Sequence, residues 1–505
     1  MAAASIESLL SEVSRVEDPV EPLQRLKTAL FSVPLSAVRD SVSGQRLGVI
    51  FTLLNSNSRE QIELCVEILE RILTALSPVH VATNYRAELQ GGLQHNSEAV
   101  KILALTQIGR IVEHPEAVTQ ILNNYDLLCA VINSIGEEKI SVAKQAIQSL
   151  SKLSHSKAGL DKLFQSDLLK TIKDVMGVSD VVRYRIYELV VGVSSFSPVS
   201  FGYCVNSGLI SRLLDELTGE DVLIRVTAVE MVTTLAQSLH GRQFLTHEGI
   251  MDQISNMIRG AETDPFSSLY LPGLVKFFGN VAIMDSPQQV CETYPAFQSK
   301  VFEMALDSDP AMIGVGLDTL GLLGSTVEGK QVLQKTGEKF KSVLVRISHH
   351  ASIGATELRV RSLEAISQLL SLQPEQQTDD LLALTESWFL LLSNHPMDMI
   401  HKISTQPFPE LHCCALRIFT AIASQPWGQR LMMSTPGFME FVLDRSTSRS
   451  KDAKDAKFEL VGELVSSSSA TEILGSQNCL RLKTYLREGP YYVTAVAAVG
   501  TEGAN

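Results

Sequence analysis

No apolar run in this 505-residue sequence approaches the roughly 20 residues that a bilayer-spanning helix needs, the longest candidates being fragments such as Trp388 to Leu392. A soluble protein is therefore expected. Cations are too few for nucleic acid: 43 Lys and Arg stand against 56 Asp and Glu, a net charge of −13, whereas neutralising phosphates requires clustered basic side chains. Cysteine is sparse and scattered, at 65, 129, 204, 291, 413, 414 and 479, with no CxxC pair and no Asn-x-Ser/Thr sequon anywhere. That fits a reducing compartment, the cytoplasm with the nucleus also open. Glu7 and Glu12 stand where a secretory or mitochondrial leader would carry basic residues, so no targeting segment is expected.

Catalytic signatures are also missing. HExxH and GxSxG do not occur, and the 11 histidines are dispersed without a partnered nucleophile. Gly324-Ser-Thr-Val-Glu-Gly329-Lys330-Gln331 comes within one residue of a phosphate-binding GxxxxGK[ST] loop, but Gln331 lacks the hydroxyl that would hold magnesium and a helix, not a strand, precedes it. Gly314, Gly316 and Gly321 imitate a dinucleotide fingerprint at the wrong spacing, and Gly316 reads as a site of close helix packing. His412, Cys413 and Cys414 adjoin without a second ligand cluster, which points to buried packing. Between Asp444 and Lys457, Arg445, Arg449, Lys451, Lys454 and Lys457 interleave with Asp444, Asp452 and Asp455, the pattern of a solvated loop and helix start. No catalytic residue, metal site or cofactor is expected, and the chain reads as a non-enzyme.

What the sequence does hold is a repeat. One amphipathic helix recurs with first positions at Gln61, Val100, Val142, Val182, Ile224, Tyr270, Met312, Leu358, Leu411 and Ala453, at intervals of 39 to 53 residues. These intervals match armadillo and HEAT repeats. Its sixth, ninth and twelfth positions are apolar and share one helical face, from Val66, Leu69 and Ile72 to Phe458, Val461 and Leu464. A helix left alone would keep three large side chains wet, each worth about 1.5–3 kcal/mol when buried, so neighbouring copies must stack. Between copies lies a short helix marked by Gly241, Gly329 or Gly428, then a second amphipathic helix; three helices per unit favour the armadillo form. Asp264-Pro265 and Asp309-Pro310 each read as an N-cap followed by a first-turn proline. The predicted fold is all-α, an armadillo/HEAT-like right-handed superhelical solenoid of about ten repeats: residues 1–60 as an N-terminal helical cap, 61–480 as repeats, 481–505 as a C-terminal cap and flexible tail, with no second domain.

In such a stack the seventh and eleventh positions of the recurring helix point away from the buried stripe, toward a groove. The seventh holds Glu67, Thr106, Gln148, Glu188, Glu230, Lys276, Asp318, Glu364, Arg417 and Glu459, six carboxylates in ten. The eleventh is basic at its N-terminal end, with Arg71, Arg110 and Lys152. The candidate partner-binding residues are Glu188, Glu230, Thr234, Lys276, Asn280, Asp318, Glu364 and Arg417, and a groove of mixed charge suits a folded partner surface. Pro272, with Tyr270, Phe277 and Phe278 close by, predicts an interrupted helix at a contact region, with Phe278 in the core and Lys276 and Asn280 exposed.

Several stretches, PVHVATNYRAEL from Pro78, VKILALTQIGRIVE from Val100, DPFSSLYLPGLVKFFGNVAIMDSPQQ from Asp264, STVEGKQVLQKTG from Ser325, QPEQQTDDLL from Gln373 and REGPYYV from Arg487, resemble the family of assembly chaperones for the base of the proteasome regulatory particle. The resemblance spans nearly the whole chain. It implies a protein that grips the small C-terminal domain of one base ATPase subunit, with further base subunits open as partners, and leaves before the mature complex forms. It brings no catalytic residues to carry over; no nucleic acid, membrane or cofactor is expected as a partner, and the chain by itself is expected to be a monomer. The competing expectation is an armadillo-type adaptor or transport receptor of the importin or catenin kind, binding basic peptide segments. Against it, the ladder of groove asparagines usual there is reduced to Asn280.

Overall fold

A computed structural model of the chain describes residues 2–16, 18–42 and 47–493. The described residues form 33 α-helices joined by short loops and 3-10 turns, with no strand among them. They group into two compact units, Met1–Glu248 and Gly249–Asn505. The apolar tail from Thr494 onward, expected to be flexible, lies outside the described residues.

Each unit is a series of helix triplets, as the spacing predicts. In the N-terminal unit, Lys157–Phe164 and Leu168–Met176 lead to Asp180–Phe196, and Pro198–Asn206 and Leu209–Asp215 lead to Val222–Leu235. In the C-terminal unit, Pro287–Thr293 and Pro295–Ala305 lead to Pro310–Gly324, and Val327–Lys335 and Glu338–Ile353 lead to Thr356–Leu370. The third helix of each triplet is the recurring one. Its predicted first position falls on the third residue of the helix in nine copies, from Gln61 in Arg59–Ala75 to Ala453 in Lys451–Ser466, and on the fourth only in Ser267–Met284. Every ninth and twelfth residue is buried, and so is every sixth except Val66 and Phe458, which are half-buried in the first and last copies. Recurring helices pack on their neighbours along this stripe, Ile140–Leu153 on Glu98–Val112 and Thr356–Leu370 on Pro310–Gly324.

The stack begins earlier than the periodicity reveals. Val20–Phe31 packs on Arg59–Ala75, and Arg71 donates to the Val33 carbonyl at 2.7 Å just as Arg110, one copy on, donates to the carbonyls of Leu73 and Leu76 at 2.7 and 2.9 Å. The long interval of 53 residues between Leu358 and Leu411 reflects extra chain, a 3-10 turn at Pro374–Gln376 before the helix Asp379–Leu391.

Two local expectations need correction. Asp309 caps Pro310–Gly324 as predicted, accepting from Ala311 N at 3.0 Å. Asp264 instead closes a turn on Phe266 N at 2.9 Å, and the helix starts only at Ser267. Nor does Pro272 interrupt that helix, which runs from Ser267 through Met284 with the proline inside it. A proline this near the N-terminus deletes one early hydrogen bond, and the buried side chains of Tyr270, Leu271, Leu274 and Val275 hold the turn around it.

The marker glycines have a steric cause. Gly159, Gly241, Gly329 and Gly428 are each the third residue of a first helix, and a methyl group at any of them would overlap the carbonyl oxygen of Leu153, Leu235, Leu323 or Ile422, at the end of the preceding recurring helix. Ser156, Ser238 and Thr326 cap the first three by accepting from the glycine N–H at 3.0–3.1 Å. The chain thus turns a corner too tight for a side chain.

Candidate partner-binding face

Burial of the stripe leaves the seventh position outward. It is exposed in eight copies and half-buried at Glu67 and Thr106. In the N-terminal unit Glu188, Glu230 and Thr234 are all exposed; the Thr234 hydroxyl donates to the Glu230 carbonyl oxygen at 3.1 Å. Neither the Glu188 nor the Glu230 carboxylate forms an ion pair with a described residue. In the C-terminal unit Lys276 is exposed, whereas Asn280, expected to be exposed, is half-buried. Asp318 pairs with Arg361 at 2.9 Å, Arg361 with Glu357 at 2.9 Å, and Glu364 with Arg417 at 3.4 Å. Burial pushes the Asp318 carboxyl above the ordinary range despite the pull of Arg361 and Lys276. These pairs are partly solvated and each contributes at most about 1 kcal/mol.

The partly acidic ladder is therefore two different surfaces. Glu188 and Glu230 stand unpaired in the N-terminal unit, where Glu67 pairs with Lys27 at 2.5 Å, whereas Asp318 and Glu364, though not Glu459, are neutralised between successive copies in the C-terminal one. Arg361 was not among the predicted residues because it occupies the fourth position, outside the two positions assigned to the groove. The basic N-terminal end of the eleventh position is not free either. Arg71 and Arg110 are turned onto the carbonyls at the C-terminal end of the preceding helix, where unpaired acceptors and the helix dipole favour a cation. Lys152 pairs with Glu113 at 2.9 Å.

The same use of cations disposes of the nucleotide-like loop. Lys330 is fully buried; its ammonium donates to the Gly324 carbonyl and, at 3.1 Å, to that of Gln368. Burial lowers its pKa to about 8. Arg242 and Gln429, which also follow corner glycines, reach the carbonyls of Ala236 and Ala423 at 3.0 and 2.7 Å. The GK pair is thus a helix-end clamp. Gly316 is close packing as expected, since a methyl there would press on the Ala305 backbone. His412, Cys413 and Cys414 are buried, with the His412 ring bonded to the Ser404 carbonyl and to Ser448 Oγ at 3.0 Å. No cluster of three potential metal ligands occurs among the described residues.

The stretch from Asp444 departs from a purely solvated loop. Arg445 stacks 3.7 Å over the Tyr485 ring and donates to the Gly489 carbonyl at 2.7 Å. Lys457, fully buried at the fifth position of the last copy, donates to the carbonyls of Phe441 and Asp444 at 3.0 and 2.8 Å. Arg449 and Lys451 remain exposed. Across the described residues no single helix is long and apolar enough to cross a membrane.

A family model described as proteasome non-ATPase 26S subunit matches residues 2–505. The chain belongs to this proteasome non-ATPase 26S subunit family. Relatives within the family named 26S proteasome non-ATPase regulatory subunit 5, from Homo sapiens and Bos taurus, are each 58% identical to it over 504 residues, covering 100% of both chains. A protein of the same name from Drosophila melanogaster is 24% identical and covers 88% of this chain and 86% of its own. Among solved structures, yeast importin-β (Kap95p) is similar with a TM-score of 0.54 at 12% identity, covering 98% of this family member and 61% of the importin chain. A structure from work on Kap95p binding to RanGDP gives a TM-score of 0.59 at 12% identity, over 95% of this chain and 65% of that one. At such identity the likeness is one of fold, and it agrees with the helical solenoid read from the repeat.

Proposed function

We propose that this chain is an assembly chaperone for the base of the proteasome regulatory particle. On this reading it binds the C-terminal domain of one base ATPase subunit and delays docking on the proteolytic core until assembly is complete. The observation that carries the reading is the full-length 58% identity to proteins named as non-ATPase regulatory subunits of the 26S proteasome. A stack of recurring helices is physically suited to the task, because within a unit it offers a folded domain a continuous face and blocks by bulk whatever that domain would otherwise touch. The work is done by binding alone, and it takes place in the cytoplasm. Release then requires competition or a nucleotide-driven rearrangement in the ATPase. The rival reading, a transport receptor for basic peptides, has only fold likeness behind it.

Co-expression with each base ATPase subunit tests the proposal. Stable co-purification with one of them, lost when its C-terminal domain is removed, is the expected result. Failure to bind any would overturn it.

A further inference from the structure

Three recurring helices of the N-terminal unit, Ile140–Leu153, Asp180–Phe196 and Val222–Leu235, pack side by side in that order. The N-terminal ends of the first two lie at one level: Arg185, early in the second, donates to the carbonyls of Ile135 and Glu137 just ahead of the first, at 2.9 and 2.7 Å. At its N-terminal end each helix exposes one large aliphatic side chain, with Ile140, Val181 and Leu223 at 59%, 60% and 67% exposure. A single exposed aliphatic residue needs no explanation. Val181 and Leu223 are each the second residue of their helices and Ile140 is the first of its own, so Val181 and Leu223 match in place and Ile140 extends the row at the same end.

Glu188 and Glu230 stand seven residues, two helical turns, beyond Val181 and Leu223 and so share their face. Their carboxylates form no ion pair with a described residue. The cations nearest to them on the same helices are committed elsewhere: Arg185 to the carbonyls above and Arg225 to the Gly219 carbonyl at 2.8 Å. Lys144, on the first helix, is exposed. In the C-terminal unit, by contrast, Asp318 and Glu364 are already paired with Arg361 and Arg417.

We propose that this aliphatic row and its flanking carboxylates form the docking face of the chain, and that the partner surface it fits carries apolar side chains bordered by lysine or arginine. Charge complementarity selects the occupant, since unpaired carboxylates attract a basic border and repel an acidic one. The aliphatic row supplies the dehydrated centre that such an interface needs. The assignment rests on the reading that the chain holds a base ATPase subunit, and it locates the hold on the N-terminal unit.

The test uses the full-length chain, with each purified base ATPase subunit in turn as the probe, at low and high salt. Val181→Asp combined with Leu223→Asp is expected to weaken binding about tenfold or more at either salt. Glu188→Lys combined with Glu230→Lys should weaken it about tenfold at low salt and less at high salt, because screening removes the repulsion. Glu459→Lys, at an exposed seventh position of the C-terminal unit, should stay within about twofold of wild type. The charge reversals touch only exposed positions, so their reading survives even if the aspartate pair unfolds. Wild-type binding with both double variants within about twofold overturns the docking face and leaves the proposed function standing. Wild-type chain that binds no ATPase subunit overturns the function and the face together.

Discussion

A methyl group at Gly329 would have to share space with the Leu323 carbonyl oxygen. The neighbour is backbone at a helix end, so relief requires the corner itself to open. Gly329→Ala is expected to cost about 3 kcal/mol or more in a denaturant melt. Gly462→Ala is the counterpart, because nothing lies within 4 Å of the added methyl group inside the helix Lys451–Ser466. That change should stabilise by roughly 0.5–1 kcal/mol through helix propensity alone. Lys330 offers a second measurement at this scale. Its folded pKa of about 8 lies below the ordinary lysine value of 10.5, so between the two the folded chain binds fewer protons than the unfolded one and this group's contribution to stability rises with pH. Cysteines such as Cys65 and Cys204, pushed up to about 12 by burial, act in the opposite sense at high pH. The comparison must therefore be with Lys330→Met, over which wild type should gain roughly 1–3 kcal/mol between pH 7 and pH 10. A gap constant with pH would contradict the buried ammonium.

At the scale of the helix, cationic ends recur as fasteners between copies. Arg110 holds the Leu73 and Leu76 carbonyls at the end of the preceding recurring helix, and its guanidinium is partly desolvated, which lowers its pKa. Arg110→Ala leaves those acceptors without their partner and should cost about 1–3 kcal/mol, with faster amide exchange in Arg59–Ala75 than in helices farther along the chain. The buried stripe was legible in the sequence because burial imposes a strict spacing, and Leu69, Ile108 and Leu150 fall where a period of three and four puts them. Where a cation reaches was not legible. Arg71 and Lys152 occupy equivalent positions and look alike in sequence, yet one turns to a carbonyl and the other to Glu113, a choice fixed by neighbours some forty residues away. For the same reason Glu188 and Glu364 were grouped together as groove carboxylates. Only the second is paired with an arginine, across a gap that the linear order conceals, while Arg185 beside the first is turned to carbonyls.

For the whole molecule, stacking in series means that most contacts join adjacent copies, and such arrays need not unfold in one step. The two tryptophans, Trp388 and Trp427, are both buried in the C-terminal unit, so their fluorescence reports that unit while circular dichroism reports all helices. Urea unfolding followed by the two signals should give different midpoints, and superimposable curves would contradict serial stacking. The corners carry a further regularity. Gly159 is followed by Pro198 at the next first helix and Gly241 by Pro287, whereas the first helix after Gly329 starts at Asp379 with neither and the one after that, Pro426–Ser434, carries both Pro426 and Gly428. Two kinds of joint, one requiring a missing side chain and one a ring that presets the chain, thus alternate from Gly159 to Gly329 and coincide at Pro426–Ser434. Along that stretch a repeat gained or lost singly would set like joints side by side, whereas a couplet would keep their order.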